Sequence, residues 1–169
     1  TMTQSNYTTQ QTPLTHVIVS NPEYNVKCHS LIFSDATCSL GLNVPYQNTT
    51  NVKSFLCFRF QLRYGYTWSP VFGREGGEKQ EMELFNDEVI VKVSGKYNPA
   101  DYICYLVLST NMGRTLSAGL PNQVSFNFYP ANMGNELRLL SGHFNGAGIT
   151  SIGAYWGLVY MEGAVNVTS

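Results

Sequence analysis

Hydrophobic and polar residues alternate along this chain in short runs, with turn residues between them. The clearest run is FLCFRFQLRYG, 55–65, where Phe58, Phe60 and Leu62 share one face and Arg59, Gln61 and Arg63 the other. KQEMEL, 79–84, sets Met82 and Leu84 against Glu81 and Glu83 in the same way. Further strand-like runs are HVIVS (16–20), HSLIF (29–33), EVIVKVSG (88–95) and YICYLVLST (102–110), followed by GRTLSAG, VSFNF, ELRLLSG and ITSIGAYWG. No long segment carries a helical period. Strands at this spacing, punctuated by Gly, Asn and Pro, predict an all-β sandwich, barrel or prism rather than a βαβ fold. A hairpin-like unit recurs loosely three times, without a strong repeat in the residues themselves.

The chain has 169 residues, enough for one domain around one core. Residues 1–15 are polar and rich in Thr and Gln, and read as a flexible N-terminal arm. Residues 16–160 make the domain and 161–169 a C-terminal tail. Only 12% of residues are charged, against a usual share of roughly 25%. Tyr, Asn, Ser and Thr therefore supply much of the wet surface, and Tyr and Thr also favour strands. The net charge of −1 gives no general field to draw in nucleic acid or an anionic membrane. No stretch approaches the roughly 20 apolar residues of a membrane span.

Enzyme signatures are missing. There is no GxSxG elbow, no HExxH and no GxxxxGK[ST] phosphate loop, and nothing calls for a cofactor. His16, His29 and His143 lie far apart in sequence, and His143 beside a glycine loop reads as a polar contact rather than a base. Six of the eleven Asp and Glu residues fall between Glu75 and Glu88. That cluster lacks the spacing of a Ca²⁺ loop, and its alternation with Met82 and Leu84 marks the solvated face of a hairpin.

Two features point to export. Sequons begin at Asn6, Asn48 and Asn166. The four cysteines, Cys28, Cys38, Cys57 and Cys104, are even in number and contain no CxxC pair, which fits disulfides better than a zinc site. Of the three possible pairings, 28–38 with 57–104 is the simplest. A secreted, extracellular glycoprotein follows from these signs.

The stretches LRYGYTWSPVFG (62–73), VIVKVSGKY (89–97), LVLSTNMGRTLSAG (106–119) and LRLLSGHFNGAGITSIGAYWG (137–157) resemble the jacalin-related lectins, in particular the animal zymogen granule protein 16 family. Order, spacing and turn glycines agree over about a hundred residues. Residues 16–60 agree only in strand character. The resemblance implies a β-prism I: three four-stranded Greek-key sheets around a pseudo-threefold axis. It implies a sugar site at one end, built in mannose-binding members from an N-terminal glycine-rich loop, a recognition loop and a GxxxD turn whose Asp accepts two sugar hydroxyls. Glycines let the main chain approach the ring, and the carboxylate supplies charge-assisted bonds.

On that pattern GxxxD falls on Gly146, Ala147, Gly148, Ile149 and Thr150, so Thr stands where the Asp would be. No glycine precedes Gly41, so the N-terminal glycine loop is missing too. Secreted glandular members of the family also look to lack that Asp. The expectation is a lectin of weakened or altered specificity, contacting glycans, glycoproteins or mucins through Asn145 to Thr150 and the turn 109–114, with Asn111 and Arg114 as further hydrogen-bond donors. The alternative is a lectin-fold structural or surface-active protein of secretory fluid that binds no sugar.

Overall fold

A computed structural model of the chain describes residues 3–8, 15–18, 28–38, 55–73, 78–100, 102–145 and 148–158. Thirteen strands, and no helix, occur among them. They form three sheets. The first has the order β1 (Thr3–Thr8), β13 (Gly148–Gly157), β12 (Glu136–Asn145), β2 (Thr15–Ile18). The second has the order β10 (Thr115–Gly119), β9 (Ile103–Thr110), β8 (Ile90–Tyr97), β11 (Val124–Phe128). The third has the order β5 (Thr67–Trp68), β4 (Phe55–Tyr64), β3 (Cys28–Cys38), β7 (Glu78–Glu83), with β6 (Phe72–Gly73) also on β4. Every pairing is antiparallel. The three sheets share one core, to which they contribute Leu31 and Leu62, Val93, Leu106 and Leu108, and Leu140, Ile152 and Trp156.

The alternation of the sequence is what builds these faces. Phe60 and Leu62 are buried while Arg59, Gln61 and Arg63 are half-exposed; Met82 and Leu84 are buried while Glu81 and Glu83 face solvent. Burying each inward Leu, Ile or Phe contributes about 1.5–3 kcal/mol. The side chain of Phe58 lies outside the described residues.

The register carries the threefold repeat that the sequence shows only loosely. Each sheet pairs its two central strands with a bulge near the start of the first: one extra residue, His29 in β3, Val91 in β8 and Arg138 in β12, has no partner opposite. At the far end two of the sheets bulge again. Lys96 pairs with Tyr105 and Tyr97 with Ile103, leaving Cys104 extra; His143 pairs with Ser151 and Phe144 with Ile149, leaving Thr150 extra. The residues here are SGKYN, 94–98, and SGHFN, 141–145, so one five-residue motif opens both hairpins.

Two expectations are corrected. The polar N-terminal segment is not a loose arm over Thr3–Thr8: its backbone pairs with β13 from Thr3 opposite Trp156 to Thr8 opposite Ser151. β13 is central and almost wholly buried, so its outer N–H and C=O groups require a partner strand. The disulfide pairing also does not form. Cys28 and Cys38 end one eleven-residue strand, roughly 33 Å apart at the rise of a strand, where a disulfide needs Cα atoms within about 7 Å. Cys28 is a buried thiol donating to the Ser30 carbonyl at 3.7 Å, and Cys104 a half-exposed thiol donating to the Asn122 carbonyl at 3.1 Å. Burial pushes the Cys104 thiol pKa up.

Candidate functional site

The bulges gather the hairpin loops at one end of the prism. Asn98 N–H donates to the Tyr102 carbonyl at 2.9 Å and closes the β8–β9 loop; Asn98 Oδ1 also accepts from Ala100 N–H at 3.1 Å. Asn145 pairs with Gly148 and closes the β12–β13 loop. The two loops touch: a Cβ on Gly148 would stand 3.1 Å from the Tyr102 ring. Glycine at 148 thus lets the half-exposed Tyr102 lie flush against the neighbouring backbone. Gly146 and Ala147 lie outside the described residues, as does the Asn145 side chain.

The structure places Thr150 inward. It is 2% exposed, and its hydroxyl donates to the His143 carbonyl at 3.3 Å. As the extra residue of its bulge it is turned under the hairpin, and Ile149 beside it is buried as well. The neighbouring polar contact is His143: Nδ1 stands 2.6 Å from Ser151 Oγ, which also accepts from His143 N–H at 3.0 Å. His143 borders a shallow depression with Phe60, Phe72, Phe144 and Ile149, and in the register it stands opposite His16. Distance in sequence concealed that pairing.

Asn111 and Arg114 are not part of this end. Tyr102 precedes β9 and Asn111 follows it, so the turn 109–114 lies roughly 25–30 Å away, at the opposite end. The expectation that this turn sits beside the glycine loop is corrected. There Asn111 clips the β7–β8 connection: its Oδ1 accepts from Val89 N–H at 2.9 Å and its Nδ2 donates to the Asp87 carbonyl at 3.1 Å. Arg114 Nη1 donates to Glu88 Oε2 at 2.6 Å and to the Glu83 carbonyl at 3.1 Å, and its guanidinium lies 4.6 Å from the Phe85 ring centre.

Glu88 is the residue that the sequence reading missed. Its side chain is fully buried, although Glu81, Glu83 and Asp87 of the same acidic run are exposed. Exclusion of water pushes its carboxyl upward, but Thr110 Oγ1 (2.7 Å), Phe85 N–H (3.1 Å) and the Arg114 charge outweigh this and hold it below the usual carboxylate value. The signal in the sequence was the turn spacing FNDE, where a carboxylate reaches back to the N–H three residues earlier. No group of three or more His, Cys, Asp or Glu side chains fit to hold a metal occurs among the described residues.

The family model of the jacalin-like lectin domain matches residues 44–155. The chain belongs to the jacalin-like lectin family. It is 37% identical over 105 residues to the human (Homo sapiens) zymogen granule membrane protein 16, covering 62% of this chain and 61% of that protein, and 34% identical to the rat (Rattus norvegicus) protein over the same shares. The matched segment thus spans about three-fifths of the length of these curated relatives. Among solved structures, a prostate-specific WGA16 glycoprotein lectin superposes with a TM-score of 0.68 at 26% identity, over 92% of this chain and 100% of the other. A mannose-binding lectin from Champedak superposes with a TM-score of 0.63 at 17% identity, over 94% and 96%, and shares the fold. The three-sheet architecture of this jacalin-like lectin chain is the β-prism of its family.

Proposed function

We propose that this chain is a secreted carbohydrate-binding lectin whose site lies between the loops 98–102 and 145–148, with a specificity altered from that of mannose-binding relatives. The observation that carries the reading is the inward Thr150 hydroxyl, spent on the His143 carbonyl. With no carboxylate at that position, a sugar is held by backbone groups of the loops and by the face of Tyr102, lying against Gly148. Charge-assisted bonds of about 1.5–3 kcal/mol each are lost relative to an Asp site. Stacking and backbone contacts favour extended glycans of glycoproteins or mucins over a single mannose. Asn111 and Arg114, committed to Asp87, Glu83 and Glu88, take no part.

Secretion is supported by the sequons at Asn6, Asn48 and Asn166 and by the granule association in the relatives' name. Asn6 sits in β1 opposite Gly153; Asn48 and Asn166 lie outside the described residues. Family membership and fold support a binding protein rather than an enzyme.

A broad glycan array tests the proposal. The native chain should bind a defined class of glycans, Tyr102→Ala should weaken that binding about tenfold or more, and Asn111→Ala should leave it unchanged. Silence from the native chain would overturn the proposal in favour of a lectin-fold secretory protein that binds no sugar.

A further inference from the structure

Nine large hydrophobic side chains are exposed among the described residues, and six of them share the end opposite the loops: Tyr66, Phe85, Met112, Tyr129, Met133 and Leu158. The strand register fixes this placement. Tyr66 follows β4 on the turn to β5; Phe85 follows β7; Met112 lies between β9 and β10; Tyr129 and Met133 lie between β11 and β12; Leu158 follows β13. All these connections leave the three sheets at the end where Ile90 pairs with Thr110 and Glu136 with Gly157. Tyr66 and Met133 are as exposed as a side chain can be. Met112 and Met133 each precede a glycine with positive φ, Gly113 at 81° and Gly134 at 86°, so tight turns carry them outward as separate tips.

Among the described residues, the charges at this end cancel. Arg63 pairs with Glu83 at 2.7 Å, Arg114 with Glu88 at 2.6 Å and Arg138 with Glu136 at 3.1 Å. Lys92 lies 5.3 Å from the Tyr129 ring centre, and Asp87 offsets its charge. Tyrosine, methionine, phenylalanine and leucine on projecting turns, over a base of self-paired ions, form a crown that is apolar at its tips and electroneutral beneath. A rigid partner would meet six separate prongs and bury little area per contact. A soft interface lets each prong sink independently, and Tyr rings prefer the headgroup boundary. Electroneutrality selects headgroups without net charge, since the described residues of this end carry no surplus of Lys or Arg to seek anionic lipid.

We infer that this crown docks onto the surface of a zwitterionic lipid layer, so that the loop end faces away from it. Flotation of the intact protein with phosphatidylcholine vesicles tests this. The native chain should float with the vesicles, equally at 0.15 M and 0.5 M NaCl, where the Debye length is down to about 4 Å. Adding phosphatidylserine should not increase the bound fraction. The triple variant Tyr66→Ser, Met112→Ser, Met133→Ser should lower it roughly tenfold or more. The variant Tyr66→Phe, Met112→Leu, Met133→Leu should keep it, as should Leu120→Ser with Val124→Ser on the opposite end. Circular dichroism verifies that each variant folds, and the conservative variant carries the test if the serine variant does not. Absence of flotation, binding confined to anionic vesicles and lost in salt, or unchanged binding by a folded serine variant would each overturn the inference. So would a dimer in sedimentation that the crown substitutions abolish, since the occupant would then be a second copy of the chain.

Discussion

The two ends of the prism are made from the same strands and differ in what their polar groups do. At the crown end polar side chains are spent on one another: Glu88 gathers Arg114, Thr110 and the Phe85 N–H, Asn111 ties down Asp87 and Val89, and Glu136 holds Arg138. At the loop end the shape is set by backbone. Bulges at Cys104 and Thr150 twist the hairpins, and the strand opposite each bulge carries a glycine. A Cβ on Gly95 would run into the Tyr105 carbonyl oxygen and the Phe126 ring; one on Gly142 would run into the Ser151 carbonyl. The difference teaches where each end is vulnerable: the crown to loss of a charge, the loop end to gain of a methyl group.

The largest effect should therefore follow the smallest substitution. Gly95→Ala and Gly142→Ala each force a strand carbonyl to move, and each should cost about 3 kcal/mol or more in urea unfolding. If either were neutral, the glycines would reflect no close approach. The crown's counterpart is Glu88→Gln, which keeps the volume and removes the charge. It should cost about 2 kcal/mol, below the full cost of breaking a buried pair because Arg114 is partly in water. The pH dependence sharpens this. The folded Glu88 carboxyl titrates below its unfolded value, so its contribution is fully present above roughly pH 4.3, the unfolded value, and is lost as pH falls through the folded one. The gap between native and Glu88→Gln stability should be constant from pH 8 to 5 and close in acid. A gap that persisted in acid would assign the cost to packing.

The middle of the scale belongs to Thr150. Thr150→Asp reintroduces the carboxylate of the mannose pattern, but at a buried side chain facing the His143 carbonyl. Oxygen would meet oxygen with no proton between them. The expected outcome is a loss of about 1–3 kcal/mol by thermal or urea unfolding, with no gain of mannose binding. A stable variant that bound mannose would mean that the β12–β13 hairpin readily turns this side chain outward.

Much of the fold was legible because strand faces obey a period of two. Phe60 and Leu62 against Gln61 and Arg63, and Met82 against Glu81 and Glu83, needed only alternation and a core to bury. Alternation fails at a bulge, where parity flips, so the side on which Thr150 and Cys104 lie cannot be read from the period of two. The motif SGKYN and its copy SGHFN did announce the paired bulges, in a glycine and an asparagine at fixed offsets, but only the register gives that spacing its meaning. Thr3–Thr8 read as an arm because polar composition marks disorder when no partner strand is known. Asn111 and Arg114 were assigned to a sugar because exposed donors on a turn look available. Their acceptors come from residues 24 to 31 positions earlier, a separation no local pattern reveals.

The smallest effect makes the finest division, within the crown itself. Arg63–Glu83 and Arg114–Glu88 are the same chemical pair at nearly the same distance. Glu83 is largely in water and Glu88 has none. Coulomb attraction in water is weak and screened, so the Arg63–Glu83 coupling in a double-mutant cycle should be about 0.5 kcal/mol or less and vanish in 1 M NaCl. Arg63→Ala alone will cost more than the coupling, because the guanidinium also lies 5.6 Å from the Trp68 ring centre and its stem covers apolar surface. The Arg114–Glu88 coupling should exceed about 1 kcal/mol and persist in salt, since one partner is shielded from ions. Equal couplings would show that burial of a single partner does not set the strength of these pairs.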